Sequence, residues 1–237
     1  MKRIGNARRG ATKRSGGGVH RTTEGLRDGC SSEMNPDFWN ERYAEELFAY
    51  GEAPNDFLAS VAARLPPERT LEIGCGQGRN AVFLAQRGML VTAVDSAGVG
   101  LDRGRELAGR RHVEVEWILH DLATFDPGHG CWEVIVAIFV HLPAELRRVV
   151  HARLVEALAP GGFLVLEAYT PDQLGRGTGG PPVESMLMSL DALREEFAGL
   201  EFVHAQELVR PVTEGAYHTG DAAVVQIVAR KPAATPR

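Results

Sequence analysis

Residues Leu71 to Asp95 constrain the fold of this chain more than any other stretch. Leu71-Glu72-Ile73-Gly74-Cys75-Gly76-Gln77-Gly78-Arg79-Asn80 reads as a buried strand running into a glycine turn, Ala81 to Gln86 as a helix, and Leu90-Val91-Thr92-Ala93-Val94-Asp95 as a second strand ending in a carboxylate. A unit of this kind belongs to an open parallel sheet. Its turn admits a nucleotide-sized ligand to the backbone, and Asp95 is placed to accept hydrogen bonds from two ribose hydroxyls. The unit therefore points to a nucleoside cofactor.

Spacing narrows the choice of cofactor. Dinucleotide sites carry G-x-G-x-x-G with the pyrophosphate on a helix N-terminus, whereas Gly74, Gly76 and Gly78 alternate, and Glu72 precedes them. A carboxylate there receives an ammonium and repels a phosphate, so an aminoacyl nucleoside is favoured over NAD. Residues Glu72 to Gly78 resemble the first motif of the class I S-adenosylmethionine (SAM) methyltransferases, and Asp95 is similar to that family's ribose-binding acid. Cys75 suits the turn because it is small.

The remaining elements alternate as a parallel sheet requires. Helices are expected over Gly100 to Ala108, Ala144 to Leu158 and Leu190 to Phe197. Strands are expected over Val113 to Leu119, Val134 to Phe139, Phe163 to Ala168, Phe202 to Val209 and Ala222 to Ala229. With the first two, these make seven strands. The fold expected is an α/β, Rossmann-like sheet with helices on both faces. The resemblance implies six parallel strands and one inserted antiparallel.

Composition sets the boundaries. Residues 1 to 33 hold eight Lys and Arg against three acids, with seven glycines and almost no large apolar side chain, while the rest of the chain carries 18 basic against 28 acidic residues. A segment of the first kind cannot build a core, so 1–33 is expected to be a disordered basic extension and 34–237 a single methyltransferase domain. The aromatic stretch from 34 to 58, with Trp39, Tyr43 and Tyr50, is expected as a lid helix over the cofactor or as simple packing on the sheet. No apolar run approaches the roughly 18 residues of a membrane helix. Cys30, Cys75 and Cys131 form no C-x-x-C pair, and His112, His120, His129 and His141 share no ligand spacing. No metal, no membrane and no nucleic-acid partner is expected, and the chain reads as cytoplasmic, as monomer or homodimer.

Trp39 to Gly51, Glu72 to Asn80, Val91 to Ser96, His141-Leu142-Pro143, Leu158 to Gly162 and Tyr169-Thr170-Pro171 resemble the bacterial small-molecule methyltransferases of the tellurite-resistance (TehB-like) group. The cofactor set expected on this resemblance is Trp39, Tyr43, Glu72, Gly74, Cys75, Gly76, Asn80, Asp95, Ser96, Asp121, Leu122 and Ile138. Asp121 follows the third strand, where it is placed to take the adenine amino group or simply to cap its loop. Ile138 to Pro143 follows the fourth strand, whose end faces the reacting methyl in the family. The acceptor side is expected to come from Tyr169, Arg176 and Tyr217, with His218 and His141 as candidate catalytic groups. Arg176 lies in a glycine-rich stretch, either holding an anion or solvated in a surface loop. Where the tellurite-resistance enzymes carry a His-Arg pair, this chain keeps His218 and has Thr219. The function expected is SAM-dependent methyl transfer, leaving S-adenosylhomocysteine, to a small, soft acceptor such as a thiol, selenium or tellurium species. The alternatives are O- or N-methylation of a metabolite, and a SAM-binding sensor without turnover.

Overall fold

Apolar runs without polar alternation, such as Val134 to Ile138, become central strands covered on both faces. A computed structural model describes residues 36–44 and 48–234; the basic extension 1–33 lies outside them. The strands are β1 (Arg69–Ile73), β2 (Leu90–Asp95), β3 (Glu116–Leu119), β4 (Trp132–Ile138), β5 (Leu158–Tyr169), β6 (Glu201–Glu214) and β7 (His218–Arg230). The helices are α1 (Pro36–Tyr43), α2 (Asp56–Val61), α3 (Arg79–Gln86), α4 (Gly98–Arg111), α5 (Ala144–Ala157) and α6 (Leu190–Glu196). The sheet runs β3-β2-β1-β4-β5-β7-β6, with β7 inserted antiparallel between two parallel neighbours, as expected.

The period-two alternation of each strand divides the core in two. On one face Leu71, Ile73, Ile135 and Leu164 meet Val150 and Leu154 of α5 and Leu193 of α6. On the other, Val134, Val136, Val91 and Ala93 meet Phe57, Leu58 and Val61 of α2, Leu84 of α3 and Leu101 of α4. Strand order reverses between β1 and β4, which opens a crevice beyond their carboxyl ends.

The third strand starts at Glu116 rather than Val113, and three larger departures from the sequence expectation bear on the site. The stretch taken as one lid helix over 34–58 contains α1 and, after Gly51, the separate α2. Pro160-Gly161-Gly162 does not simply separate α5 from a strand. β5 begins at Leu158 and carries these residues within it, beside a register shift between Trp132 and Val134. The last two strands are much longer than their apolar cores, so His218 is the first residue of β7, paired with Glu214, rather than a loop residue.

That lengthening serves a buried charge cluster. Glu167 of β5 is fully buried, and it accepts from Arg210 Nε (2.8 Å) and Nη2 (2.7 Å), Asn55 Nδ2 (2.5 Å) and Gln226 Nε2 (2.7 Å). Glu214 accepts from Arg210 Nη2 (3.1 Å), Asn55 Nδ2 (2.9 Å) and, in a close ion pair, from Arg79. Removing one partner from such a set strands a charge without water. Arg210→Met is therefore expected to lower unfolding free energy in urea by about 3–5 kcal/mol, with much of the loss recovered when Glu167→Gln is added. A single variant as stable as the parent would show that the cluster does not hold the sheet together.

Candidate active site

The crevice at the strand-order reversal is a cleft with two lobes. The larger, about 260 Å³, runs from Glu72, Gly74 to Gln77 and Asn80 to Tyr169, Gly179, Gly180, Tyr217 and His218. The smaller, about 110 Å³, is lined by Asp95, Ser96, Asp121, Leu122, Val140 and Leu142. Trp39, Tyr43, Gly74, Phe139 and His141 line both.

Glu72 Oε1 accepts from Asn80 Nδ2 (3.1 Å), while Oε2 is buried with no partner. Asn80 is itself held, since its Oδ1 accepts the backbone N–H of Asn55 (2.8 Å), the cap of α2. Burial pushes the Glu72 carboxyl up to about 8, against the Asn80 hydrogen bond and the Arg79 charge, which favour the ionised form. Asp95 accepts from the N–H groups of Gly76 (2.7 Å) and Ala97 (2.8 Å), so it ties the tip of β2 to the glycine turn. Burial raises its pKa as well. A side chain at Gly76, where φ is +53°, would also meet Tyr43 Oη at 2.8 Å from its Cβ. The glycine is thus required by the backbone and by the aromatic roof above it.

Tyr169 and His218 form the far end. Tyr169 Oη and His218 Nδ1 are buried without partners, and the two rings meet edge to face at 5.4 Å. Gly179 lies over both: a Cβ there would stand 2.8 Å from Tyr169 Oη and from His218 Cδ2. Its loop is fastened by Gln173, which donates to Thr178 Oγ1 (2.9 Å) and Gly179 O (3.0 Å) and accepts from Ala223 N (2.9 Å). Burial, with the charges of Arg79, His141, Arg42 and Arg210, pulls His218 down to about 3. His141 is pulled down to about 4 by burial, and its Nδ1 lies 3.0 Å from Met186 O while its Nε2 accepts from Tyr169 N (3.4 Å). Both of its ring nitrogens are engaged.

The roof comes from α1 and the segment after it. Trp39 and Tyr43 stack at 5.7 Å, and Asn40 Oδ1 accepts from Val99 N (3.0 Å) at the start of α4. Arg42 sits over the Tyr217 ring at 4.3 Å and donates to Tyr50 Oη (3.3 Å). Ala49 closes the roof by donating to Gln77 Oε1 (2.8 Å) and accepting from Ala216 N (3.0 Å), in the turn joining β6 and β7.

Every residue expected at the site lines one lobe or both, except Arg176. Arg176 is exposed and donates to Asp172 O (2.9 Å), and the arginines lining the cleft are Arg42 and Arg79. Asp121 lines the smaller lobe and also caps its own turn, accepting from Ala123 N (2.8 Å). Sequence reasoning passed over Asn55, Glu167 and Glu214. Glu167 did carry a signal, an acid inside an apolar strand run, which requires a buried partner. Among the described residues no group of three potential ligands is arranged to hold a metal, and no helix is long and apolar enough to cross a membrane.

A family model described as a methyltransferase domain matches residues 70–162. A 2-heptyl-1-hydroxyquinolin-4(1H)-one methyltransferase of Mycobacteroides abscessus is 26% identical over 158 residues, covering 63% of this chain and 70% of that one. A trans-aconitate 2-methyltransferase of Rhodopseudomonas palustris is 36% identical over 124 residues, half of this chain and 44% of the relative. Among solved structures, TehB from Haemophilus influenzae superimposes with a TM-score of 0.63 at 20% identity, covering 83% of this chain and 66% of that one, a likeness of fold.

Glu72 supplies a test of the site by itself. The unfolded chain releases this proton near 4.5, the folded one near 8, so the Glu72 contribution to stability is complete below 4.5 and is lost as pH rises to about 8. Glu72→Gln keeps the acceptor for Asn80 and removes the titration. In chemical denaturation the variant is expected to match the parent near pH 4 and to exceed it by on the order of 5 kcal/mol above pH 8. A difference independent of pH would exclude a protonated Glu72.

Proposed function

We propose that the chain is a class I SAM-dependent methyltransferase and that it methylates a small acceptor that reacts in a soft or already ionised form, a thiol, selenium or tellurium species foremost. The residues present fit the cofactor. Glu72 has an unpartnered buried oxygen for its ammonium, Asp95 retains lone pairs toward the smaller lobe for the ribose, and Asp121 and Leu122 stand in that lobe for the base. When bound, SAM supplies a methyl group already activated on a sulfonium. The protein's own contribution is then alignment and exclusion of water: Trp39, Tyr43 and Tyr50 roof the cleft, and the Gly179 loop covers its far end.

One observation carries the choice of acceptor. Of the two histidines in the cleft, His141 has both nitrogens engaged, and His218 is held neutral with a basicity too low to take a proton efficiently near neutral pH. An acceptor that needs a base is poorly served, whereas a thiolate or comparable anion needs none. Neutral His218 and Tyr169, each with an unpartnered polar atom, remain available to orient it.

A second reading is favoured by the aromatic walls and by the relative that acts on a hydroxylated quinolinone: a flat heteroaromatic acceptor methylated on an ionised hydroxyl. Both readings share one kinetic signature. With acceptors of different acidity, the inflection in the pH profile of kcat/KM is expected to follow the acceptor. A base role for His218 predicts instead an inflection that stays with the enzyme and disappears in His218→Gln. A panel of thiols and hydroxylated heteroaromatics, with S-adenosylhomocysteine as the readout, separates the two acceptor classes.

A further inference from the structure

Among the described residues only His112 and Phe139 combine a side chain with a left-handed φ. His112 is the cap ending α4, an ordinary place for it. Phe139 has φ +54° immediately after β4, a conformation that is strained for a bulky residue and persists where surrounding contacts enforce it. Here its N–H donates to Glu167 O (2.7 Å), tying it to the residue at the centre of the buried charge cluster. One face of its ring stacks on Tyr169 at 4.6 Å, and the ring meets that of His218 in a T-shaped contact at 4.8 Å. This backbone turn carries the ring into the cleft where it lines both lobes, together with Trp39 and Tyr43.

The consequence rests on the SAM reading above. With the nucleoside beside Asp95 and Asp121 and the amino acid portion at Glu72, the atom that joins them is the sulfonium sulfur, and it crosses the wall that the two lobes share. We infer that Phe139 is held in its strained conformation to set an aromatic ring against the sulfonium, and that it makes the site prefer the cationic cofactor to the neutral thioether product. A ring quadrupole attracts a cation more strongly than it attracts a thioether of the same shape. The cation's share of that attraction is present before methyl transfer and gone after it, so it holds the substrate form and loosens the product form.

The test is the ratio of two dissociation constants, for SAM and for S-adenosylhomocysteine, measured by titration calorimetry without any acceptor. Phe139 is replaced by phenylalanine analogues of increasing ring fluorination, which keep its shape while draining the quadrupole, and separately by Phe139→Leu. The expected result is a stepwise loss of SAM affinity reaching roughly threefold to thirtyfold, with a much smaller change in S-adenosylhomocysteine affinity across the fluorinated series. Parallel loss of both ligands, or loss of neither, would overturn the inference and leave the cofactor reading standing. A parent protein that binds neither ligand would overturn the cofactor reading and this inference with it.

Discussion

Two carboxylates without access to water govern the layout of this protein. Glu167 and Glu214 lie under the cleft, and each must be matched by donors that reach it through a packed interior. The donors come from distant parts of the chain: Asn55 at the start of α2, Arg79 at the start of α3, Arg210 on β6 and Gln226 on β7. Satisfying them fixes the position of the long β6–β7 hairpin against β5 and anchors the helix that follows the glycine turn. The same Asn55 holds Asn80, and Asn80 holds one oxygen of Glu72. The orientation of the free oxygen is therefore set by a chain of hydrogen bonds ending on the far strands.

A second buried ion cluster acts at the other end of the site. Arg147 and His151 of α5 both engage Glu196 of α6, and Arg147 also donates to Leu187 O (3.2 Å). This fastens the segment whose Met186 carbonyl lies against His141. The histidine is locked by the packing of two helices behind it, which accounts for its neutrality without a role in proton transfer.

The first half of the sheet was legible because its signals are local. A strand, three alternating glycines, a helix and a strand ending in Asp95 lie within 25 residues, and β2 begins and ends where its apolar run does. The hairpin was legible only in part. Arg210 and Glu214 look like loop residues when apolar alternation is the guide, yet their charges serve the buried cluster and keep them in the strand. Arg79 was overlooked as a charge because its partner Glu214 lies 135 positions away. Arg176 attracted notice for sitting in a glycine-rich stretch, but that stretch carries its glycines to lie close over Tyr169 and His218, and the arginine side chain turns outward.

The walls of the cleft also follow the order of the chain. Everything lining the smaller lobe comes from residues 39 to 142, while Tyr169, Gly179, Gly180, Pro181, Tyr217 and His218 are supplied by the last third. The domain signature at 70–162 ends before any of that second group. Substitutions in the late loops can thus redraw what enters the far end while the early half keeps the geometry of its glycine turn and smaller lobe. The ion pair and amide bonds reaching from Arg79 and Asn55 to the late strands join the two histories, together with the bonds from Ala49 to Ala216 and from Phe139 to Glu167. A lineage free to vary its acceptor by exchanging loops would have to carry that seam unchanged.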